Sequence, residues 1–258
     1  MKIHYLKQHL LGDEQEQATA NALENWQIMT SQERTAFIDS ISVYTNPDWL
    51  ELRAGKFTAS TAAEFLSDPT NKAAKDAGEI GESCKNLCYK VMAEQCGWRE
   101  PVNPYMDFAQ IRRGLLLEDT ARQLAAEQLG EEITQCGFVE SDVMFGCSPD
   151  GLIIHDGKID GVVEIKCPEP KSFYKQLMDC AKREYQLQMQ FLLWVCDCQR
   201  AYFVLYCPEV SPKAFVIKYT RGLSFQAKLE KRKEQVANYI HKVNEQINSG
   251  EFNIPTAE

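Results

Sequence analysis

The chain has 258 residues, of which 44% are hydrophobic and 25% are charged, and its formal net charge at pH 7 is −9. These values are typical of a globular protein, and no apolar run approaches the roughly 20 residues that a membrane span needs. The acidic balance argues against a general nucleic-acid coat, which binds phosphates through clustered Lys and Arg. It still allows an enzyme whose basic residues line one channel and whose acidic residues hold cations.

The ten cysteines are scattered through apolar segments. No C-x-x-C pair occurs, so a structural zinc site is poorly supported. An iron–sulfur cluster built from Cys196, Cys198, Cys207 and one distant cysteine matches no familiar ligand spacing. The favoured interpretation is a set of reduced cysteines packed as small hydrophobes in a cytosolic protein. The first residues lack the apolar core and cleavage site of a signal peptide, which also predicts a location inside the cell.

The first half of the chain is predicted to be helical. Asn46 and Pro47 suit the first positions of one short helix, and Gly55 suits its end. Residues 67–78 are polar and predict a mobile loop. The helices predicted in this half cover residues 13–41 (as two helices), 47–55, 61–66, about 79–96 and about 105–129.

After Gly130 the pattern changes to short segments rich in Val, Ile and Phe. Asp156 and Gly157 predict a tight hairpin, because Asp-Gly tolerates positive φ. The predicted strands cover residues 136–141, 144–147, 151–155, 162–167, 201–207 and 214–219, and the predicted helices cover about 171–179, 184–197 and 223–248. This order predicts a mixed α/β domain with a central sheet flanked by helices, preceded by a helical N-terminal extension.

Three charged residues lie beside apolar strand residues: Asp150, Glu164 and Lys166. Residues two apart on a strand point the same way, so Glu164 and Lys166 share a face, and a hairpin would bring Asp150 to them. Converging carboxylates repel each other unless a divalent cation lies between them, and oxygen ligands suit Mg²⁺ or Mn²⁺. A lysine beside that metal can orient an attacking water. The pattern favours phosphodiester hydrolysis, and the alternative is a solvated hairpin with a chance Glu-x-Lys.

The same residues resemble a known nuclease motif. Asp150 followed after 13 residues by Glu164-Ile165-Lys166 is similar to the PD-(D/E)xK pattern, and CSPDG at 147–151 with EIKCP at 164–168 looks like its phage lambda exonuclease, or YqaJ viral recombinase, branch. Further segments resemble that branch in the same order: WLELRAGKFTAS (49–60), RRGLLLEDTA (112–121) and YQLQMQFLLW (185–194). Four ordered motifs are far more specific than any one of them.

The resemblance implies a restriction-endonuclease-like core over residues 46–258, preceded by the extension at 1–45. It implies that Asp150, Glu164 and the Ile165 carbonyl hold the metal with Glu118, and that Lys166 is the catalytic lysine. The resemblance also implies that Gln188 and Tyr185 lie beside the site. It implies that a terminal 5′-phosphate is bound by Arg53, Ser60 and Ser148. From sequence alone, simpler interpretations exist: a solvated charge for Glu118, a surface ion pair with Glu51 or Asp48 for Arg53, a helix cap for Ser60, and a partly exposed helix edge for Gln188 and Tyr185.

The activity implied by the resemblance is a Mg²⁺-dependent 5′→3′ exonuclease, with Mn²⁺ able to substitute. It would degrade one strand of linear double-stranded DNA from 5′-phosphorylated ends and leave a 3′ overhang. Such relatives look like ring-shaped homo-oligomers, often trimers, that work with a single-strand annealing protein in the cytoplasm of a bacterial or phage-infected cell. The candidates for a basic channel are Arg112, Arg113, Lys171 and Lys175.

Two alternatives stay open. One is an endonuclease or CRISPR-adaptation-type nuclease of the same superfamily, although such relatives usually carry a four-cysteine cluster whose spacing this chain lacks. The other is a non-catalytic DNA-binding recombination subunit, against which the presence of Asp150, Glu164 and Lys166 argues.

Overall fold

The computed structural model describes residues 1–11, 15–41, 43–101, 109–180 and 183–250. The helices of this described part are α1 (Glu16–Asn25), α2 (Ser31–Ser40), α3 (Pro47–Arg53), α4 (Ala62–Phe65), α5 (Lys72–Asp76), α6 (Glu82–Gln95), α7 (Ala109–Leu129), α8 (Pro170–Asp179), α9 (Arg183–Val195) and α10 (Leu223–Ser249). The strands are β1 (Lys2–His4), β2 (His9–Leu11), β3 (Val43–Thr45), β4 (Phe138–Glu140), β5 (Gly146–Cys147), β6 (Gly151–His155), β7 (Lys158–Lys166), β8 (Arg200–Tyr206) and β9 (Ala214–Thr220). A 3₁₀ turn over Ala59–Thr61 precedes α4.

The central feature is a four-stranded sheet in the order β6-β7-β8-β9. Strands β6 and β7 form an antiparallel hairpin, as predicted, and Asp156 and Gly157 at its turn have φ values of +51° and +73°. Strands β7 and β8 are parallel, and β8 and β9 are antiparallel. Helices α8 and α9 form the connection between the parallel pair, which a short turn cannot provide. The mixed α/β architecture predicted from the sequence is therefore confirmed.

The apolar core lies on both faces of this sheet, because successive residues of β7 point to opposite sides. Val162 is fully buried in a cluster that includes Phe191 of α9 and Leu229 of α10. Val163 is fully buried in a second cluster that includes Leu117 of α7. Seven of the ten cysteines are buried, as expected for small hydrophobes, whereas Cys96 is exposed.

The predicted ends of α3 are confirmed by the structure. The Asn46 side chain accepts from the Asp48 amide at 3.0 Å to begin α3, and Gly55 just after it has a φ of +71°. Helix α2 begins with a capping box in which Thr30 and Glu33 bond each other's backbone amides. Residues 13, 14 and 105–108 of the predicted helices lie outside the described residues.

Other predictions need correction. A helix, α5, forms inside the stretch 67–78 that was predicted to be a loop, because Asn71 caps it through the Ala73 amide at 2.8 Å. Strand β7 begins at Lys158 and not at 162, since its first residues continue the hairpin pairing with β6. The segment 1–45 is not purely helical, because it also contains β1, β2 and β3.

The N-terminal segment packs closely on the rest of the described chain. Strand β1 pairs with β4, and β2 pairs with β3. The Trp26 indole donates to Glu209 Oε1 at 3.1 Å, and Glu209 also accepts two hydrogen bonds from the guanidinium of Arg113, at 2.8 and 2.7 Å. The division of the chain at residues 45 and 46 into an extension and a nuclease domain stays a prediction. None of the described helices combines the length and the apolar content that a bilayer crossing requires.

Candidate active site

The β6–β7 hairpin brings the predicted charged residues together. Gly151 pairs with Val163, and the Asp150 amide donates to the Val163 carbonyl at 2.9 Å. The Asp150 carboxylate in turn accepts from the Ile165 amide at 2.6 Å through Oδ2. These two bonds fix Asp150 beside the end of β7, where Glu164 and Lys166 lie.

Glu164 receives two donors on one oxygen. The Lys166 ammonium donates to Oε1 at 2.6 Å, and the Gln188 amide donates to the same atom at 2.8 Å. Glu164 is only 4% exposed, so these bonds compensate for the cost of burying its charge. Gln188 comes from α9, which packs against β7. The predicted convergence of Asp150, Glu164, Lys166 and Gln188 is therefore present.

Glu118 reaches the same place from α7. It accepts a hydrogen bond from Arg122, one turn further along the helix, and Arg122 Nε also donates to the Asp150 carbonyl at 2.9 Å. Arg122 thus links the helix that carries Glu118 to the strand end that carries Asp150. Glu118 is not the solvated helix charge of the simpler interpretation, because it faces the cleft and pairs with a buried arginine.

The charged groups of the site shift one another's pKa values. Burial raises the pKa of Asp150 well above its ordinary value, and the nearby charges of Glu164 and Glu118 raise it further. The pKa of Glu118 is also raised, chiefly by burial. Burial lowers the pKa of Lys166, but the negative charges of Glu164 and Asp150 outweigh this, and the pKa of Lys166 lies above its usual range. The site therefore holds an excess of carboxylates over cations.

This donor set fits a hard divalent cation. Among the described residues, no three His, Cys, Asp or Glu side chains form a complete metal cage. Mg²⁺ rarely uses such a cage, and is usually held by one or two carboxylates together with waters and substrate phosphates. Asp150 and Glu164, with the Ile165 backbone between Glu164 and Lys166, match that kind of site. A cation there would also relieve the mutual repulsion that raises the Asp150 pKa.

A second cluster gathers the residues predicted to contact a 5′-phosphate. Arg53 donates to Ser60 Oγ at 3.1 Å and to Thr58 Oγ1 at 3.3 Å, and its guanidinium stacks 4.4 Å above the Trp49 ring. The Trp49 indole donates to Ser148 Oγ at 3.0 Å. Arg53, Ser60 and Ser148 are thus joined through one tryptophan.

No described carboxylate forms an ion pair with Arg53, and Glu51 pairs with Arg99 at 2.7 Å. Burial lowers the pKa of Arg53, opposed by the charges of Glu94 and Cys147. The surface ion pair of the simpler interpretation is therefore not formed by the described residues. Ser60 is not a helix cap either, since it lies within the 3₁₀ turn that follows Thr58. A half-buried guanidinium bonded only to hydroxyls can exchange these partners for an anion.

Tyr185 and the proposed channel cations occupy different environments. Tyr185 is half-buried at the start of α9, with its ring 5.0 Å from that of Phe203. Arg113 is 4% exposed and committed to Glu209, so its assignment to a basic channel is wrong. Arg112 is largely covered and donates to the Asp39 carbonyl at 3.1 Å. Lys171 and Lys175 are exposed on α8, and Lys171 forms an ion pair with Glu169 at 2.7 Å.

Three residues of the site were not predicted from the sequence. Arg122 links Glu118 to Asp150, while Trp49 and Thr58 organise the cluster around Arg53. Arg122 had a usable signal, because residues four apart on a helix are neighbours and Glu118 lies at that spacing. Trp49 and Thr58 belong to the segment 49–60 that carries the family resemblance, which was a usable signal, but no role was assigned to either residue.

A family model for the YqaJ-like viral recombinase domain matches residues 48–199. This is more than half of the 258-residue chain. The chain belongs to the YqaJ-like viral recombinase family. No curated protein matches the sequence.

The fold of this YqaJ-like protein is shared with solved exonucleases. The alkaline exonuclease LHK-Exo from Laribacter hongkongensis is 23% identical with a TM-score of 0.58, and its complex with dAMP gives 24% and 0.60. Both alignments cover 80% of this chain and 100% of the other. A phage-related exonuclease from Haemophilus somnus 129PT is 15% identical with a TM-score of 0.59, over 76% of this chain and 98% of that one. At these identities the likeness shows the fold.

Proposed function

We propose that this protein is a metal-dependent exonuclease that degrades one strand of linear double-stranded DNA in the 5′→3′ direction. The observation that carries the proposal is the convergence of Asp150, Glu164, Lys166 and Gln188 at the end of β7. Membership of the YqaJ-like family and the fold shared with solved exonucleases support the same conclusion. The direction of digestion and the 3′ overhang follow from the resemblance to the lambda exonuclease branch.

Asp150, Glu164 and the Ile165 carbonyl are the proposed ligands of Mg²⁺, with Glu118 close by; Mn²⁺ would substitute. The bound cation would lower the pKa of a water and neutralise charge on the scissile phosphate. Gln188 and Lys166 orient the Glu164 carboxylate through its Oε1 atom. Lys166 is half-exposed to the cleft, so its ammonium is placed to hold a water or a phosphate oxygen by hydrogen bonds.

The cluster around Arg53 is the proposed receptor for the terminal 5′-phosphate. Arg53 offers a bidentate fork. The hydroxyls of Thr58 and Ser60 accept from Arg53, and that of Ser148 accepts from the Trp49 indole on which Arg53 stacks. LHK-Exo was solved with dAMP, a deoxynucleoside monophosphate, which is the class of product we propose here. We further propose a ring-shaped homo-oligomer, of trimeric type, that works with a single-strand annealing protein in the cytoplasm of a bacterial or phage-infected cell.

The test compares the wild type with Lys166→Ala on end-labelled linear duplexes in Mg²⁺, with a 5′-phosphate or a 5′-hydroxyl. A closed circular duplex and the variant Lys158→Ala serve as controls, since Lys158 is an exposed lysine at the far end of the same strand. We expect the wild type and Lys158→Ala to shorten 5′-phosphorylated linear DNA and spare circles, and Lys166→Ala to be inactive.

Two results would overturn the proposal. Cutting of the closed circle by the wild type would indicate an endonuclease of the same superfamily. DNA binding by the wild type without cleavage in Mg²⁺ or Mn²⁺ would indicate a non-catalytic recombination subunit.

A further inference from the structure

The cleft at the candidate active site has one wall that lies outside the family match. It has a volume of about 240 Å³. It is lined by Gly114 and Glu118 of α7 and by Asp150 and Lys166. A further wall is formed by residues 6–9, which precede the matched region at 48–199. The N-terminal segment therefore helps to shape the cleft.

Residues 6–9 are held in this position from both ends. The His4 carbonyl accepts from the Gly137 amide at 3.1 Å, within the pairing of β1 with β4. Asn46 donates to the carbonyl of Lys7 through its side chain and to that of Gln8 through its amide, each at 2.9 Å. A Cβ atom on Gly137 would lie 2.2 Å from the carbonyl oxygen of Leu6. Only a glycine at position 137 therefore allows the backbone of Leu6 to lie this close. The wall is thus a fixed part of the fold.

Lys7 is the notable side chain of this wall. It is exposed, and its ammonium forms no ion pair or hydrogen bond with any of the described residues. Lys166, the other lysine that lines the cleft, already forms an ion pair with Glu164 at 2.6 Å. The cleft also contains the carboxylates of Glu118 and Asp150, which repel a polyanion. A cation without a carboxylate partner at the rim would offset that repulsion for an incoming phosphate.

We propose that Lys7 is a substrate-binding residue that contacts a backbone phosphate of the DNA lying in this cleft. The inference rests on the proposed function, because it takes DNA as the ligand. The N-terminal segment then contributes directly to substrate binding. A phosphate contact of this kind positions the strand and carries no base specificity.

The test measures binding of a 5′-phosphorylated duplex in Ca²⁺ over a series of salt concentrations, and KM and kcat in Mg²⁺. The variants are Lys7→Ala, Lys7→Arg and the matched control Lys2→Ala, since Lys2 is an exposed lysine on the same segment that does not line the cleft. We expect Lys7→Ala to weaken DNA binding several-fold and to raise KM with little change in kcat. The slope of log K against log salt should fall in magnitude by about 0.9 if the lost contact is with duplex DNA, or by about 0.7 if it is with a single strand. Lys7→Arg should restore binding, and Lys2→Ala should match the wild type.

The proposal on Lys7 fails if Lys7→Ala and Lys2→Ala have the same affinity and the same salt slope while both unfold like the wild type. That result is distinguishable from failure of the proposed function, in which the wild type would not cut linear DNA at all. The binding measurement needs no turnover, so it tests Lys7 in either case.

Discussion

Gln188 Nε2 and Lys166 Nζ donate to the same oxygen of Glu164, at 2.8 and 2.6 Å. Within the described part of the chain, both hydrogen bonds to this side chain go to Oε1, which leaves Oε2 available to the proposed cation. A carboxylate that is fixed in this way presents its second oxygen in one orientation. Groups that orient a metal ligand are commonly as important for activity as the ligands themselves.

The first prediction follows from that geometry. Gln188→Ala should lower kcat by about 10- to 100-fold, because the Glu164 carboxylate loses one of its two anchors. The control is Gln123→Ala, at an exposed position on α7. Single-turnover cleavage in saturating Mg²⁺ measures the effect, and an unchanged rate would remove Gln188 from the site.

The second prediction concerns recognition of the DNA end. Arg53→Lys keeps the positive charge but loses the planar fork, so the preference for a 5′-phosphate over a 5′-hydroxyl should fall by about 10-fold or more, as expected for a lost charge-assisted hydrogen bond of about 1.5–3 kcal/mol. The measurement is the ratio of kcat/KM on the two ends. Arg99→Lys, which alters an exposed pair with Glu51, should leave the ratio unchanged. An intact ratio in Arg53→Lys would place the phosphate elsewhere.

The third prediction uses Gly114 on α7. A Cβ atom there would meet no heavy atom within 4 Å, and the residue lines the cleft. Gly114→Ala should therefore stabilise the helix by about 1 kcal/mol, and should also raise KM, because the methyl group occupies space used by the substrate. Thermal unfolding and steady-state kinetics measure the two effects. Greater stability with an unchanged KM would indicate that DNA does not approach this face of α7.

The fourth prediction uses Gly137 as the contrasting case. A Cβ atom added to Gly137 would lie 2.2 Å from the backbone oxygen of Leu6, so Gly137→Ala must displace the N-terminal segment. We expect a loss of about 1–3 kcal/mol in the free energy of unfolding and faster hydrogen exchange at the amides of β1. Gly114→Ala is the matched control, since it adds the same methyl group without a clash. Slow exchange in β1 of the Gly137 variant would show that the segment accommodates the methyl group.

The fifth prediction concerns acid stability. Burial raises the pKa of Glu209, but hydrogen bonds and charge from Arg113 outweigh it and lower the pKa to about 2. Because the folded-state pKa is below that of the unfolded chain, the stabilisation is complete above about pH 4.5 and is lost as the pH falls toward 2. Glu209→Gln should cost about 3 kcal/mol at pH 7, as for a broken buried pair, and the gap to the wild type should narrow below pH 4.5. Urea unfolding at several pH values measures this gap, and a gap that is independent of pH would contradict the assignment.

The centre of the site could be predicted from the sequence, because its geometry depends on the pairing of two strands that are neighbours along the chain. An Asp-Gly turn between two apolar runs specifies the hairpin, and the hairpin alone brings Asp150 next to Glu164 and Lys166. Glu118 was predicted only through the family resemblance, since nothing in α7 itself distinguishes it from other exposed helix charges. Its contact with Arg122 and the cleft depends on how α7 packs against the sheet.

The N-terminal strands were missed for a different reason. Strands β1 and β2 have three residues each, too few to show an alternating pattern. They are held by residues far away in the sequence, such as Gly137 and Asn46, and not by the strand propensity of their own residues. Helix α5 was missed because the cap formed by Asn71 outweighs the polar composition that predicted a loop.

The parallel pairing of β7 with β8 has a consequence for synthesis of the protein. Gln188 lies within the connection that joins these strands, so it reaches Glu164 only when α9 has docked on the sheet. Proteins are made from the N-terminus and fold as domains. During synthesis Glu164 and Lys166 therefore leave the ribosome before Gln188 does. Glu164 gains its hydrogen bond from Gln188 only after α9 has been made and has packed on the sheet.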